Sequence, residues 1–224
     1  MGAKIINNYI KEETNNFIIK SETNKEYFED VLNFIQLNEE KILDFFGLEK
    51  LKNKYTIKIM KYEPFKEFII NKYGSIKEYV RGDTDFKSKV ISILDIEDQK
   101  KYTTHKDSTL EETLKMILHE IVHACHDEVN ANYYKCIWFS EGLATNLSNQ
   151  NYSIVDLNNC DFKLLKSDFR NYGKGNYSFA YTIVKYVLDS FSREEILKLV
   201  YDSNYLESKS NEIFEKARNN LVWE

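Results

Sequence analysis

Apolar positions change period partway along the chain. In NNFIIKSE and KYTIKIMKY they alternate with polar ones, the signature of half-buried strands. Between these two runs, NKEYFEDVLNFIQLNEEKILDFFG repeats its apolar residues at three- and four-residue steps, which predicts an amphipathic helix closed by Gly47. A second helix is predicted around PFKEFIINKYG, with Pro64 in its first turn and Gly74 at its end. KEYVRGDTDFKSKVISILDIED reads as a hairpin whose second strand covers residues 89–96. After Asp107 the pattern is almost wholly helical. No internal repeat, low-complexity tract or Gly/Ser/Pro linker interrupts the chain. The expected organisation is therefore one domain over residues 1–224, strand-rich over 1–107 and helical over 108–224.

The best-signalled helix follows STLEE, where Ser108 as N-cap and Glu111 three residues on make a capping box. Leu110, Leu114, Ile117, Ile121 and Cys125 form its apolar stripe. His119 and His123 fall off that stripe, about 40° apart with Cβ atoms roughly 5–6 Å apart. Both imidazoles can therefore converge on one ion at about 2.0–2.1 Å. Glu120 lies between them, displaced around the helix so that it can reach a water on that ion without ligating it. Such a pattern, His-Glu-x-x-His, also arises in ordinary helices, but here its flanks are Ile121, Val122, Ala124 and Cys125. A helix apolar on both sides belongs in the interior, and buried histidines need partners.

Two histidines do not complete a catalytic zinc site, and the candidates for a third ligand are His126 and Glu141. On a rigid helix His126 stands about a turn beyond the pair, too far to close a tetrahedron, which makes it a residue of the second shell or the rim. Val129 occupies the place of the third histidine of the metzincin pattern, so that pattern fails. Glu141 sits in IWFSEGLATNLS, amid Trp138, Phe139, Leu143 and Ala144. Burying a carboxylate there is costly unless it meets a cation, and zinc is one.

Composition narrows the partners. Among 224 residues, 31 basic and 36 acidic ones give a net charge of −5 without long like-charge blocks, so no electrostatic footprint for nucleic acid or an anionic membrane is expected. Three cysteines at unrelated spacings favour a reducing compartment over a disulfide framework. The polar start MGAKIINNYIKEET does not read as a signal peptide, and no apolar run approaches the ~18 residues of a membrane span. The cytoplasm is the expected location; a chain whose leader had been removed would read the same.

HEIVH, then residues 124–140, then Glu141 within WFSEGLA, together resemble the gluzincin branch of zinc peptidases, specifically the peptidase MA-like group related to the large zinc aminopeptidases. There His-Glu-x-x-His is followed after about eighteen residues by the Glu of Trp-x-x-Glu-Gly-x-Ala. The spacer here is one residue shorter, a difference that a loop around NANYYKC can absorb. The resemblance covers residues 90–200. It implies an α+β, thermolysin-like zincin fold: a small N-terminal sheet with an edge strand over the cleft, two zinc-bearing helices and a helical remainder. The edge strand would be KVISILDI, which could hold an extended peptide by strand addition.

The resemblance further implies a zinc ion, Zn2+, held by His119, His123 and Glu141, with its fourth position left to water. Glu120 would be the general base that takes the water's proton and delivers it to the leaving amine. Thr145, one turn past Glu141, is a candidate second-shell acceptor for a ligand histidine. In the aminopeptidases an oxyanion donor lies in Tyr-x-Lys-Gly-Ala at the start of a helix. Here YSFAY is similar, with Tyr177 at the tyrosine position and Ala180 at the glycine, though Lys-Gly is missing. Asn176 would be the N-cap and Ile183, Val184, Val187 and Leu188 the apolar face. Tyr181, on nearly the same face, competes for the role but is expected to pack deeper. No counterpart of the amine-binding Gly-x-Met-Glu-Asn segment exists, so an endopeptidase acting on a peptide or protein is expected. The competing reading is a catalytically inactive zincin-fold binding or regulatory module, against which the intact Glu120 argues. A purely structural zinc is disfavoured because Cys125 and Cys136 lack paired spacing.

Overall fold

The computed structural model describes residues 4–6, 9–22 and 25–220, with side chains for 10–22 and 27–220. The fold is mixed α+β. It divides into two compact units, residues 1–124 and 125–224, and the division falls inside one helix, directly after Ala124.

The first unit is built on a sheet. Its strands are β1 (Lys4–Ile6), β2 (Tyr9–Glu13), β3 (Phe17–Ser21), β4 (Tyr55–Met60), β5 (Gly82–Asp85) and β6 (Val90–Leu94), in the order β1-β2-β3-β4-β6-β5 among the described residues. Helix α1 (Lys25–Phe45) links β3 to its parallel neighbour β4, and α2 (Tyr62–Tyr73) follows β4 before the chain returns through β5 to β6. Burial alternates along β3 and β4, with Phe17, Ile19, Tyr55, Ile57 and Ile59 turned inward. Phe28, Val31, Ile35 and Ile42 of α1 are buried at the helical spacing the sequence shows. The chain leaves α1 through Gly47 at φ 63°, where the Leu48 amide bonds back to the Leu43 carbonyl. Helix α2 ends on Gly74 in the left-handed conformation, as its sequence predicts. Its Phe65 and Ile69 pack with Leu94.

Three expectations change here. The hairpin forms, but its second strand ends at Leu94, and α3 (Ile96–Tyr102) begins where continued strand was expected. The Asp95 side chain accepts the Glu97 amide and caps α3, with acids in its first turn and lysines in its last. KVISILDI is not an edge: β6 is bonded on both sides, parallel to β4 and antiparallel to β5. The short, polar β5 takes the edge instead, which suits a strand whose outer side is unpaired, while the apolar β6 is buried along nearly its whole length. The β1–β2 hairpin, which the sequence reading passed over, carries the sheet beyond β3, with Ile6 opposite Tyr9.

Helix α4 (Leu110–Val129) spans the division between the units. The second unit continues with α5 (Ile137–Leu147), α6 (Phe162–Ser167), α7 (Asn176–Ser190), α8 (Arg193–Tyr201) and α9 (Ser203–Asn220). Phe162 stacks on Phe214 with centroids 4.3 Å apart and meets Trp138 edge-on at 5.3 Å, joining α5, α6 and α9 in one core. Cys125, Cys136 and Cys160 form no disulfide, in line with their odd number and unrelated spacings. No helix among the described residues is long and apolar enough to cross a membrane.

Candidate metal centre

Helix α4 starts one residue later than expected. Thr109, not Ser108, is the cap: its Oγ1 accepts the Glu112 amide at 3.2 Å, and Glu112 Oε2 accepts the Thr109 amide at 3.0 Å. The Ser108 hydroxyl instead accepts from the Arg81 guanidinium at 3.5 Å. The shift does not move the faces of the helix. Every residue from Met116 to His126 is buried, so α4 is interior all round through the motif.

Within that stretch the one-turn spacing of His119 and His123 brings their Nε2 atoms to 3.0 Å of each other, with ring planes 83° apart. Both rings are less than a tenth exposed. Two nitrogens bound tetrahedrally at about 2.0–2.1 Å from one ion stand roughly 3.3 Å apart, so this pair fits a shared cation with a shift of a few tenths of an ångström.

Glu141 lies on α5. From Trp138 to Thr145 every residue except Glu141 is buried, so the half-buried carboxylate is the one polar opening in an apolar turn. The ligand atoms of His119, His123 and Glu141 all lie within 4.8 Å of one another. Two imidazoles and a carboxylate are a donor set suited to zinc with one position left open.

Gly142 shows why the residue after Glu141 is small. A Cβ there would stand 2.4 Å from the Ala180 carbonyl oxygen and 2.6 Å from Val184 Cγ2, so α5 and α7 approach backbone to backbone at this point. Gly142→Ala should force the helices apart and cost about 1–3 kcal/mol. The expected result is a lower urea midpoint at unchanged slope; a midpoint equal to wild type would refute the close-packing account.

Glu120 is buried beside the two histidines. Thr84 Oγ1 donates to its Oε2 at 2.6 Å. Burial holds the Glu120 carboxyl above the usual carboxylate range, against the opposing pull of the His119 and His123 imidazoles and the Thr84 hydroxyl.

The remaining sequence candidates are distributed as follows. His126 is buried rather than at a rim: its Nε2 lies 3.3 Å from the Val200 carbonyl oxygen, and its ring packs on Tyr133 with centroids 4.8 Å apart. The Thr145 hydroxyl donates to the carbonyls of Glu141 and Gly142, at 2.9 and 3.0 Å, within its own helix. Asn176 is the first residue of α7 and not its cap. Gly175 at φ 96° precedes the helix, and Asn176 Nδ2 donates to the Phe169 carbonyl. Tyr177 and Tyr181 are both half-buried. They flank Tyr152, with centroid distances of 6.3 and 5.9 Å, and Tyr177 also meets Phe169 edge-on.

Thr84 and Gly82 were not singled out in the sequence. Their only local signal is a shared strand face at a two-residue step, and nothing near them in the chain links them to Glu120. No family model matches the chain, and no curated protein matches its sequence.

Proposed function

We propose that this protein is a zinc-dependent peptidase of gluzincin type, more closely an endopeptidase, with a peptide or protein substrate and no nucleic-acid or membrane partner. The observation that carries the reading is the approach of the His119, His123 and Glu141 ligand atoms to within 4.8 Å, with the Glu120 carboxyl buried close enough to feel both imidazoles. The mixed α+β fold, with its sheet in the first half and helices after residue 96, supports a thermolysin-like arrangement of that centre.

His119, His123 and Glu141 would hold the ion through two neutral nitrogens and one carboxylate oxygen. Bound zinc supplies Lewis acidity, polarising a carbonyl and lowering the pKa of a coordinated water toward about 7. The protein's own part is proton transfer and charge stabilisation. Glu120 accepts a proton from the attacking water and passes it to the departing amine, which requires one carboxylate oxygen to remain available for the proton. Thr84 occupies Oε2, and Oε1 is the oxygen left for this work. The intact general base favours hydrolysis over mere binding.

Metal analysis of the purified chain should find about one zinc per molecule. The zinc-loaded chain should cut a diverse unstructured peptide library at internal bonds. A zinc-loaded chain that leaves the library intact would overturn the peptidase reading in favour of a binding module.

Tyr177 is proposed as donor to the oxyanion formed at the scissile carbonyl, with Tyr181 as the competitor. Tyr177→Phe should lower kcat by about 10²–10³, the usual cost of one such donor, while KM and zinc content change little. The same measurement on Tyr181→Phe discriminates: a large loss there alone transfers the role, and wild-type kcat in both removes tyrosine from it.

A further inference from the structure

Edge strand β5 brackets both oxygens of the Glu120 carboxylate. Thr84, itself buried, donates its hydroxyl to Oε2 at 2.6 Å and stands 3.4 Å from the Glu120 carbonyl oxygen. At this length the bond lies at the short end of the range for a hydroxyl donating to oxygen. Two residues earlier, on the same face of the strand, Gly82 has no side chain where a Cβ would fit only tightly. A Cβ there would lie 3.2 Å from Glu120 Oε1, 3.3 Å from Ile93 Cδ1 and 3.4 Å from Met116 Sδ.

Asp83, between them, turns to the opposite face and is anchored there. Lys72 Nζ reaches its Oδ2 at 2.6 Å, and the Tyr73 hydroxyl donates to its Oδ1 at 2.6 Å. Lys72 also donates to the Thr84 carbonyl at 2.9 Å. The strand is therefore held from behind by α2 and from beside by β6, and it presents one hydroxyl and one gap to Glu120.

We infer that Thr84 and Gly82 are positioning residues for Glu120. Thr84 fixes the rotation of the carboxylate through Oε2, and Gly82 leaves room for Oε1 to take the proton. The terminal torsion of a glutamate is otherwise broad and roughly two-fold, so an untethered carboxylate spends much of its time misdirected. This inference rests on the peptidase reading, in which Glu120 is the base.

Thr84→Val keeps the shape and removes the hydroxyl. It should lower kcat by about 10- to 100-fold, the scale of a misplacement near 1 Å, with KM and zinc content unchanged. Thr84→Ser, which retains the donor, should recover kcat to within about threefold of wild type. Gly82→Ala should lower kcat with zinc retained, because Oε1 must give way.

A readout independent of turnover is urea unfolding of the zinc-free chain. Here Thr84→Val combined with Glu120→Ala should lower the midpoint no further than Glu120→Ala alone, because the two side chains share one interaction. Wild-type kcat in Thr84→Val, failure of Ser to rescue, a loss confined to KM or zinc, or additive midpoint losses would each overturn the inference. If the wild-type chain cuts no peptide, the peptidase reading falls by itself, while the unfolding cycle still decides whether Thr84 holds Glu120.

Discussion

Glu120→Gln should all but abolish peptide cleavage and leave the zinc in place. The amide has the shape of the carboxylate, and its oxygen can still accept the Thr84 hydroxyl, so packing beside β5 is preserved. No proposed ligand atom is touched, because the side chains that could hold the ion are His119, His123 and Glu141. What disappears is the group able to take a proton from water and return it to the amine. General acid–base catalysis contributes about 10²–10⁴-fold, and the same residue serves both halves of the transfer, so kcat/KM should fall toward the upper end of that range. Metal content and circular dichroism should match wild type. A variant that keeps a tenth of wild-type turnover would remove Glu120 from the role of base.

Loss of the third ligand should show in metal content before anything else. Glu141→Ala leaves two imidazoles, one short of the three protein ligands that a catalytic zinc site uses, and zinc affinity should fall by more than about 10²-fold. His126→Ala is the internal control. It lies on the same helix as His119 and His123, but its Nε2 meets the Val200 carbonyl, which also accepts from Asn130 Nδ2 at 2.9 Å. Removing it should keep the zinc and cost about 1–3 kcal/mol of stability through the lost hydrogen bond and the contact with Tyr133. Equilibrium dialysis against zinc, together with urea unfolding of the zinc-free variants, measures both effects. Zinc lost from His126→Ala and kept by Glu141→Ala would transfer the third ligand to His126 and break the gluzincin assignment.

The parts legible in the chain are those whose chemistry lies in short-range spacing. The pairing of His119 with His123 needs only one helical turn, and the burial of α4 follows from apolar residues on both flanks of the motif. Glu141 stands out because a carboxylate in an apolar run is costly to bury without a cation, and it does lie within 4.8 Å of the histidines' ligand atoms. The period-two apolar residues of β4, and the signals of α2, Pro64 in its first turn and Gly74 at its end, were equally local. STLEE, by contrast, contains two overlapping capping boxes, and local propensity does not choose between Ser108/Glu111 and Thr109/Glu112. The Arg81 guanidinium from β5's approach engages Ser108, and Thr109 is the residue whose side chain caps the helix.

Long-range pairing decided the rest. The apolar run over residues 89–96 marks a strand, but whether a strand is central or an edge depends on which partners the remaining chain supplies, and β5 covers it. Tyr177 and Tyr181 share a helix face, so helical spacing does not choose between them, and the approach of both rings to Tyr152 comes from tertiary packing. Thr84 is 36 residues from Glu120, and their hydrogen bond exists because β5 is drawn to the sheet's edge by β6 and α2. Helical periodicity set the spacing of the two histidines along one face. What the Glu120 carboxyl touches, and which of its oxygens meets a hydroxyl, came from the packing of a distant strand, because a carboxylate's orientation is set by whatever surface folds against it.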